Sequence, residues 1–193
     1  AKYVKEDMDG RIDMIVDGGE VGIGLESTIV DLTSEIPEIL RPGYITKEML
    51  EAVLGRVETD EASMSPESGQ APRAPGMKYR HYAPEGELTI VSGNPVRVAE
   101  YIVCQLKAAV AAGKKTAVIC TDETHMLYPA DIVKSVGSRQ DEDAIARGLY
   151  RVLRELDDEG AEVIYSEAFD EQGIGQAIMN RLLKAAGHHI EYV

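Results

Sequence analysis

The residues best placed to do chemistry lie in three short stretches. The first is RAPGMKYRHYAP, residues 73–84, which holds Arg73, Lys78, Arg80, His81, two tyrosines and no acid. Pro75-Gly76 signals a type II turn and Pro84 closes the stretch, so MKYRHY is expected to run extended. Alternation would put Lys78, Arg80 and Tyr82 on one side, with Tyr79 and His81 on the other. Cations and tyrosine rings suit a phosphate and a base. The plain alternative is a linker held to an acidic surface by charge.

The second stretch is GIGLESTIVDLT, residues 22–33. Its glycines are not a dinucleotide fingerprint, because the pattern is GxGxxS and a strand follows where a helix should. Ser27 and Thr28 remain, two small hydroxyls beside flexible backbone. They suit a small polar ligand, or equally the polar face of a turn. The third is ILRPGYIT, residues 39–46, where Arg41 ends a strand before a Pro-Gly turn. A forked guanidinium so held can clamp phosphate; it can also be an ordinary surface arginine. His125, His188 and His189 fit no ligand set. The SGNP (92–95) and DEQGIGQA (170–177) turns follow strands and could border a pocket at a sheet's carboxyl end. Neither has a dinucleotide pattern.

These stretches sit in an acidic chain. The 193 residues carry a net charge of −14. Bases against acids run 6 to 15 in 1–62, 3 to 1 in 63–84 and 11 to 18 in 85–193. A surface so charged repels a nucleic-acid backbone, so a broad nucleic-acid face is not expected. Cys104 and Cys120 lie in apolar runs and read as reduced core thiols, with no zinc spacing. No signal peptide or spanning segment is apparent, so a cytoplasmic protein without membrane contact is expected.

The elements that must position these residues fall into two parts. The polar run 58–76 reads as a linker. It separates residues 1–60 from 86–193, with the linker and its basic strap spanning 61–85. The second part alternates strand and helix: strands at 87–93, 115–121, 131–137, 161–168 and 188–193, helices at 95–113, 141–160 and 174–187. That rhythm predicts an α/β, Rossmann-like parallel sheet with helices on both faces. The first part predicts a short helix and then a strand within 5–20, strands at 25–33 and 38–43, and a helix at 46–55. Such a lobe struggles to bury a core alone.

In order, DGRIDMIVDGG, GLESTIVDLT, ILRPGYITKEMLEAVLG and APGMKYRHYAP resemble the threonylcarbamoyl-AMP synthase family of the YrdC type, in its long form with a linker and a C-terminal Rossmann-like domain. The resemblance runs over about 1–84 and, less sharply, through LTIVSG and GIGQAIMNRLLKAAG. It implies an enzyme that joins L-threonine, bicarbonate and ATP into threonylcarbamoyl-AMP and pyrophosphate, for modification of tRNA by further proteins. It implies Ser27, with Thr28, at L-threonine. It implies Arg41 at ATP together with Lys78, Arg80 and either Tyr79 or Tyr82, with Mg²⁺ accompanying ATP, no tightly bound cofactor and no protein metal ligands. No residue is assigned as catalytic. The family's nucleotide-binding lobe is longer than residues 1–60, and its basic motif and Ser-x-Asn motif would precede Ala1. The chain is therefore expected to be a C-terminal part lacking the first half of that α+β lobe, to be inactive alone, and to be open to self-association. The alternative of another class is a regulatory or ligand-binding α/β module with the linker as its lid.

Overall fold

The computed structural model describes residues 1–19, 22–60, 73–74 and 83–193. Helix α1 spans Lys2–Met8, and strands β1 (Ile29–Asp31), β2 (Glu38–Arg41) and β3 (Glu58–Thr59) form a small sheet. β1 pairs antiparallel with β2, and β2 pairs parallel with β3. Helix α2 (Lys47–Leu54) bridges β2 and β3. Its ends are as the sequence predicts. The Thr46 hydroxyl accepts from the Met49 N–H, and Gly55, at φ +79°, donates to the Glu51 carbonyl, so both ends find partners for otherwise orphaned backbone groups.

The expected strand within 5–20 does not form. Among the described residues nothing pairs with 12–17, and Met14 and Val16 are 79% and 85% exposed. Apolar residues alone do not make a strand without a neighbouring edge. The strand expected over 25–33 is only Ile29–Asp31, because residues 24–27 bend away to pack elsewhere.

The larger unit contains β4 (Glu87–Ser92), α3 (Pro95–Ala111), β5 (Thr116–Cys120), a 3₁₀ turn (His125–Leu127), β6 (Ile132–Ser135), α4 (Glu142–Asp158), β7 (Val163–Glu167), α5 (Ile174–Ala185) and β8 (Ile190–Tyr192). The five strands are all parallel in the order β6-β5-β7-β4-β8. Side chains alternate across the sheet. Ala117 and Ile119 of β5 join Leu88, Ile90 and Ile164 under α4 and α5, while Val118 and Cys120 join Val91 under α3. Helices on both faces explain why these strands read as unbroken apolar runs.

Local chemistry sets the helix ends. Asn94 accepts from the Val96 N–H at the start of α3, where Pro95 has no N–H to offer. Asp141 accepts from Ala144 at the start of α4. The last strand begins at Ile190, two residues later than expected. Gly187 and His188, both at positive φ, first close α5, and the His188 N–H donates to the Leu183 carbonyl at 2.7 Å. Cys104 is exposed, against expectation, whereas Cys120 is buried. Cys104 falls midway between the buried Ile102 and Leu106, so a 3.6-residue period turns it outward.

Helix α1 docks on α4. Tyr3 meets the Tyr150 ring edge-on at 6.4 Å, the Arg154 guanidinium lies 4.8 Å above the Tyr3 ring, and Lys2 pairs with Asp158 at 2.6 Å. No helix among the described residues is long and apolar enough to cross a membrane.

Candidate functional site

Ser27 and Arg41, fourteen residues apart, are brought together by the β1–β2 pairing, which sets Ile29 opposite Arg41. The Arg41 guanidinium donates through Nε and Nη2 to the Ser27 carbonyl at 3.1 and 2.9 Å, and its Nη2 reaches the Ser27 Oγ at 3.2 Å. One forked edge of Arg41 is thus turned onto the Ser27 backbone. The Ser27 side chain is exposed. The Thr28 hydroxyl donates to the Ile45 carbonyl at 2.7 Å, leaving its oxygen able to accept.

Two glycines let this segment lie where it does. Gly43, after Pro42, sits flat against the backbone of residues 26–28; a Cβ there would lie 2.4 Å from the Glu26 carbonyl oxygen. Gly24, at φ +73°, sits on α4, where a Cβ would lie 2.5 Å from the Arg147 Cα. Between them Leu25 packs on the large core.

Helix α5 completes the wall. Arg181 is 7% exposed and donates through Nη1 to the Gly24 carbonyl at 2.5 Å; its Nη2 lies 3.8 Å from the Glu26 carboxylate. Its guanidinium stacks 5.1 Å from the Tyr150 ring centre. Lys184, one turn on and 8% exposed, has its ammonium pushed down to about 8. Burial is the main cause; Glu26 opposes it and Arg41 adds to it. Burial and then the Lys184 charge also lower His188. Ser27 is therefore presented on a loop backed by Arg41, Arg181 and Lys184, with Glu26 as counter-charge. The arrangement can hydrogen-bond a small polar molecule and attract its anionic groups. No nucleophile–base pair is built here among the described residues.

Sequence reasoning singles out Ser27, Thr28 and Arg41 by residue type but not Glu26, Arg181 and Lys184, which the structure places beside them. The available signal was an Arg and a Lys spaced i, i+3 in MNRLLKAAG, a helix too apolar to be solvated all round. Cations buried in such a helix need partners.

The basic stretch is described only at its start. Arg73 pairs with Asp31 at 3.0 Å and with Glu38, and Ala74 packs on Leu40 and Ile29. The first cation of the stretch thus ties the chain to the small sheet. Lys78, Tyr79, Arg80, His81 and Tyr82 lie outside the described residues.

Comparison with known proteins adds identity. A family model described as "Threonylcarbamoyl-AMP synthase, C-terminal domain" matches residues 45–187, and one described as "Telomere recombination" matches 1–43. The curated Threonylcarbamoyl-AMP synthases of Bacillus subtilis and Pyrococcus abyssi are 44% and 42% identical over 98% of this chain, of which they are covered to 53% and 54%. The chain thus spans about half the length of the curated relatives it matches. The crystal structure of P. abyssi Sua5 complexed with L-threonine superposes with a TM-score of 0.90 at 41% identity, covering 100% of this chain and 55% of that one. A P. abyssi variant with an adjacent His and Tyr both changed to Ala gives 0.89 at 40%, covering 100% of this chain and 54% of that one. With its motifs in order and its five-stranded parallel sheet matched, the chain belongs to the threonylcarbamoyl-AMP synthase family.

Proposed function

We propose that residues 1–193 form one wall of an L-threonylcarbamoyladenylate synthase site, which condenses L-threonine, bicarbonate and ATP and releases pyrophosphate. The product serves tRNA modification by other proteins. Ser27 and Thr28 meet L-threonine. Arg41 faces the ATP phosphates, joined by Lys78, Arg80 and a ring from Tyr79 or Tyr82 as the strap crosses the site. Mg²⁺ enters with ATP. Positioning and neutralisation of phosphate charge supply the rate, so these residues hold reactants rather than exchange protons.

The observation that carries the reading is the Ser27–Arg41 contact. It sets the proposed threonine hydroxyl partner beside the proposed phosphate partner, the spacing needed to join the two substrates. The named P. abyssi complex holds L-threonine, which supports the amino-acid half. This chain's own adjacent His-Tyr pair is His81–Tyr82 in the strap, the dipeptide type altered in the second P. abyssi structure.

These groups are too few for turnover by residues 1–193 alone. The test is ATP- and threonine-dependent pyrophosphate release. Residues 1–193 are expected to bind ATP weakly and saturably without releasing pyrophosphate; robust release would overturn the assignment. ATP binding that persists after removal of residues 1–85 would favour the other reading, in which the α/β unit is the binding module and the linker its lid. That unit has a cavity of its own at the carboxyl end of its sheet, which gives a ligand-binding reading its footing, although its acidic lining suits a cation better than a nucleotide.

A further inference from the structure

A cavity of about 360 Å³ lies at the carboxyl end of the five-stranded sheet. Topology explains it. β4 and β7 are neighbours, but the chain leaves β4 into α3 on one face and leaves β7 into α5 on the other. Adjacent strands whose connections depart to opposite faces open a crevice between their ends, and open α/β sheets bind ligands there. Gly93 follows β4, Phe169 and Asp170 follow β7, and all three line the cavity with Gly175 and Ile178 of α5. Its volume falls in the range of small-molecule sites, roughly 300–1,000 Å³.

The lining decides the class of ligand. Val98, Ile145, Phe169 and Ile178 make an apolar floor. Arg139, Glu142, Glu167 and Asp170 are the ionisable lining groups. Arg139 and Glu167 cancel one another: Arg139 pairs with the Glu167 carboxylate and donates to the Ala168 carbonyl, while the Tyr128 hydroxyl donates to Glu167 at 2.5 Å. Glu142 and Asp170 remain as surplus negative charge. Burial, then the Asp170 charge, push the Glu142 carboxyl above its ordinary value. The Gly175 N–H in the first turn of α5 favours the charged form of Glu142, so a carboxylate lies near the start of α5. Phosphate is therefore repelled rather than cradled. Among the described residues no three His, Cys, Asp or Glu side chains converge as a metal site, and two carboxylates fall short of the six or more oxygens calcium takes.

We propose that this cavity binds a small organic cation, its primary ammonium between Glu142 and Asp170 and its apolar body against Val98, Phe169 and Ile178. The site is separate from the Ser27–Arg41 wall, and it stands or falls independently of the synthase reading. Its helix is shared, however: Ile178 precedes Arg181, the anchor of Gly24, by one turn.

The test is titration of residues 1–193 with isoamylamine, with leucine as its carboxylated counterpart and with AMP, followed by calorimetry and amide NMR. Isoamylamine is expected to saturate with a Kd of about 1 mM or tighter, shifting the Gly93 and Gly175 amides. Asp170→Asn retains the oxygen that accepts from the Gln172 N–H and Glu142→Gln keeps the side chain's shape, so the fold is kept, and each weakens the amine roughly tenfold or more. Leucine binding as tightly as the amine supports the same ammonium site and points to an amino acid as its source; leucine failing while the amine binds points to a free amine. No saturation by isoamylamine up to about 10 mM, tighter binding of AMP, or amine binding unchanged in both variants overturns the proposal.

Discussion

The Arg41 guanidinium holds the Ser27 carbonyl with two donors, at 3.1 and 2.9 Å. A residue proposed to face phosphate therefore also fixes the backbone that presents the proposed threonine ligand. The two substrates should not be separable by mutation at this point. In a synthase carrying these residues, Arg41→Ala removes charge and fork together, and is expected to weaken ATP and L-threonine alike, each by about 10–100-fold for a lost charged hydrogen bond. Arg41→Lys keeps charge but loses the fork. It should retain more ATP affinity than threonine affinity. Calorimetry with each substrate separates the cases; Arg41→Ala acting on ATP alone would show that the contact to Ser27 is idle.

Gly24 and Gly113 share φ +73° but not their surroundings: a Cβ on Gly24 meets the α4 backbone at 2.5 Å, while on Gly113 it meets nothing within 4 Å. Gly113→Ala should therefore cost only the left-handed backbone penalty, about 1–2 kcal/mol. Gly24→Ala adds a clash that neither partner can relieve by rotating a side chain, and should cost about 2–4 kcal/mol or free the 24–28 segment from α5. Urea midpoints of the two variants measure the difference. Equal midpoints, with unchanged amide exchange at Gly24–Ser27, would show that the segment is not docked.

The α/β unit was legible because its signals are local. A strand such as TAVIC reads as buried on both faces, and Asn94-Pro95 or Gly187 marks a helix end within a few residues. The strand order was not legible, since it depends on which edge β7 and β8 join after long excursions. The site divides the same way. Ser27 and Arg41 stand out by type and share a short antiparallel turn of chain. Arg181 meets Gly24 across 157 residues, and nothing near either residue announces the other. The strand expected within 5–20 failed for a related reason: its apolar residues are visible in the sequence, whereas the lack of a pairing edge among the described residues is not. Cys104 failed on phase, a half-turn of helix away from the buried face.

Burial holds the Lys184 ammonium down to about 8, below the 10.5 of an exposed lysine. The unfolded chain therefore binds more protons than the folded one between these values. Stability gains as pH rises from about 8 to 10.5, and the full cost of burying the charge is present below pH 8. That gap corresponds to about 3 kcal/mol, with the opposing pull of Glu26 already included. Lys184→Met should stabilise residues 1–193 by about 1–3 kcal/mol at pH 7, and the advantage should shrink as the pH approaches 10. Because Lys184 also lowers His188, the His188 imidazole should titrate higher in the variant. Chemical denaturation at the two pH values, with NMR titration of His188, checks both halves. A pH-independent gain, or an unmoved imidazole, would mean that the ammonium is better solvated than its burial implies.

Glu167 is 2% exposed and its carboxylate sits between two donors, the Tyr128 hydroxyl at 2.5 Å and the Arg139 guanidinium. Burial first, and then the bond to Glu167, push the Tyr128 hydroxyl well above its ordinary range, so it stays a donor at any working pH. Tyr128→Phe deletes that donor and leaves half of a buried carboxylate unsatisfied. The expected cost is about 1–3 kcal/mol. The Arg139→Lys variant keeps a positive charge but loses the second guanidinium donor, which reaches the Ala168 carbonyl, and it forfeits the stacking over the Phe169 ring at 5.7 Å. The double variant should cost more than the two single changes added together, because the first leaves Glu167 dependent on the second. Guanidinium denaturation of the four proteins gives the coupling directly. Strict additivity would show that Glu167 is satisfied by other means, and that the wall of the cavity does not depend on this triad.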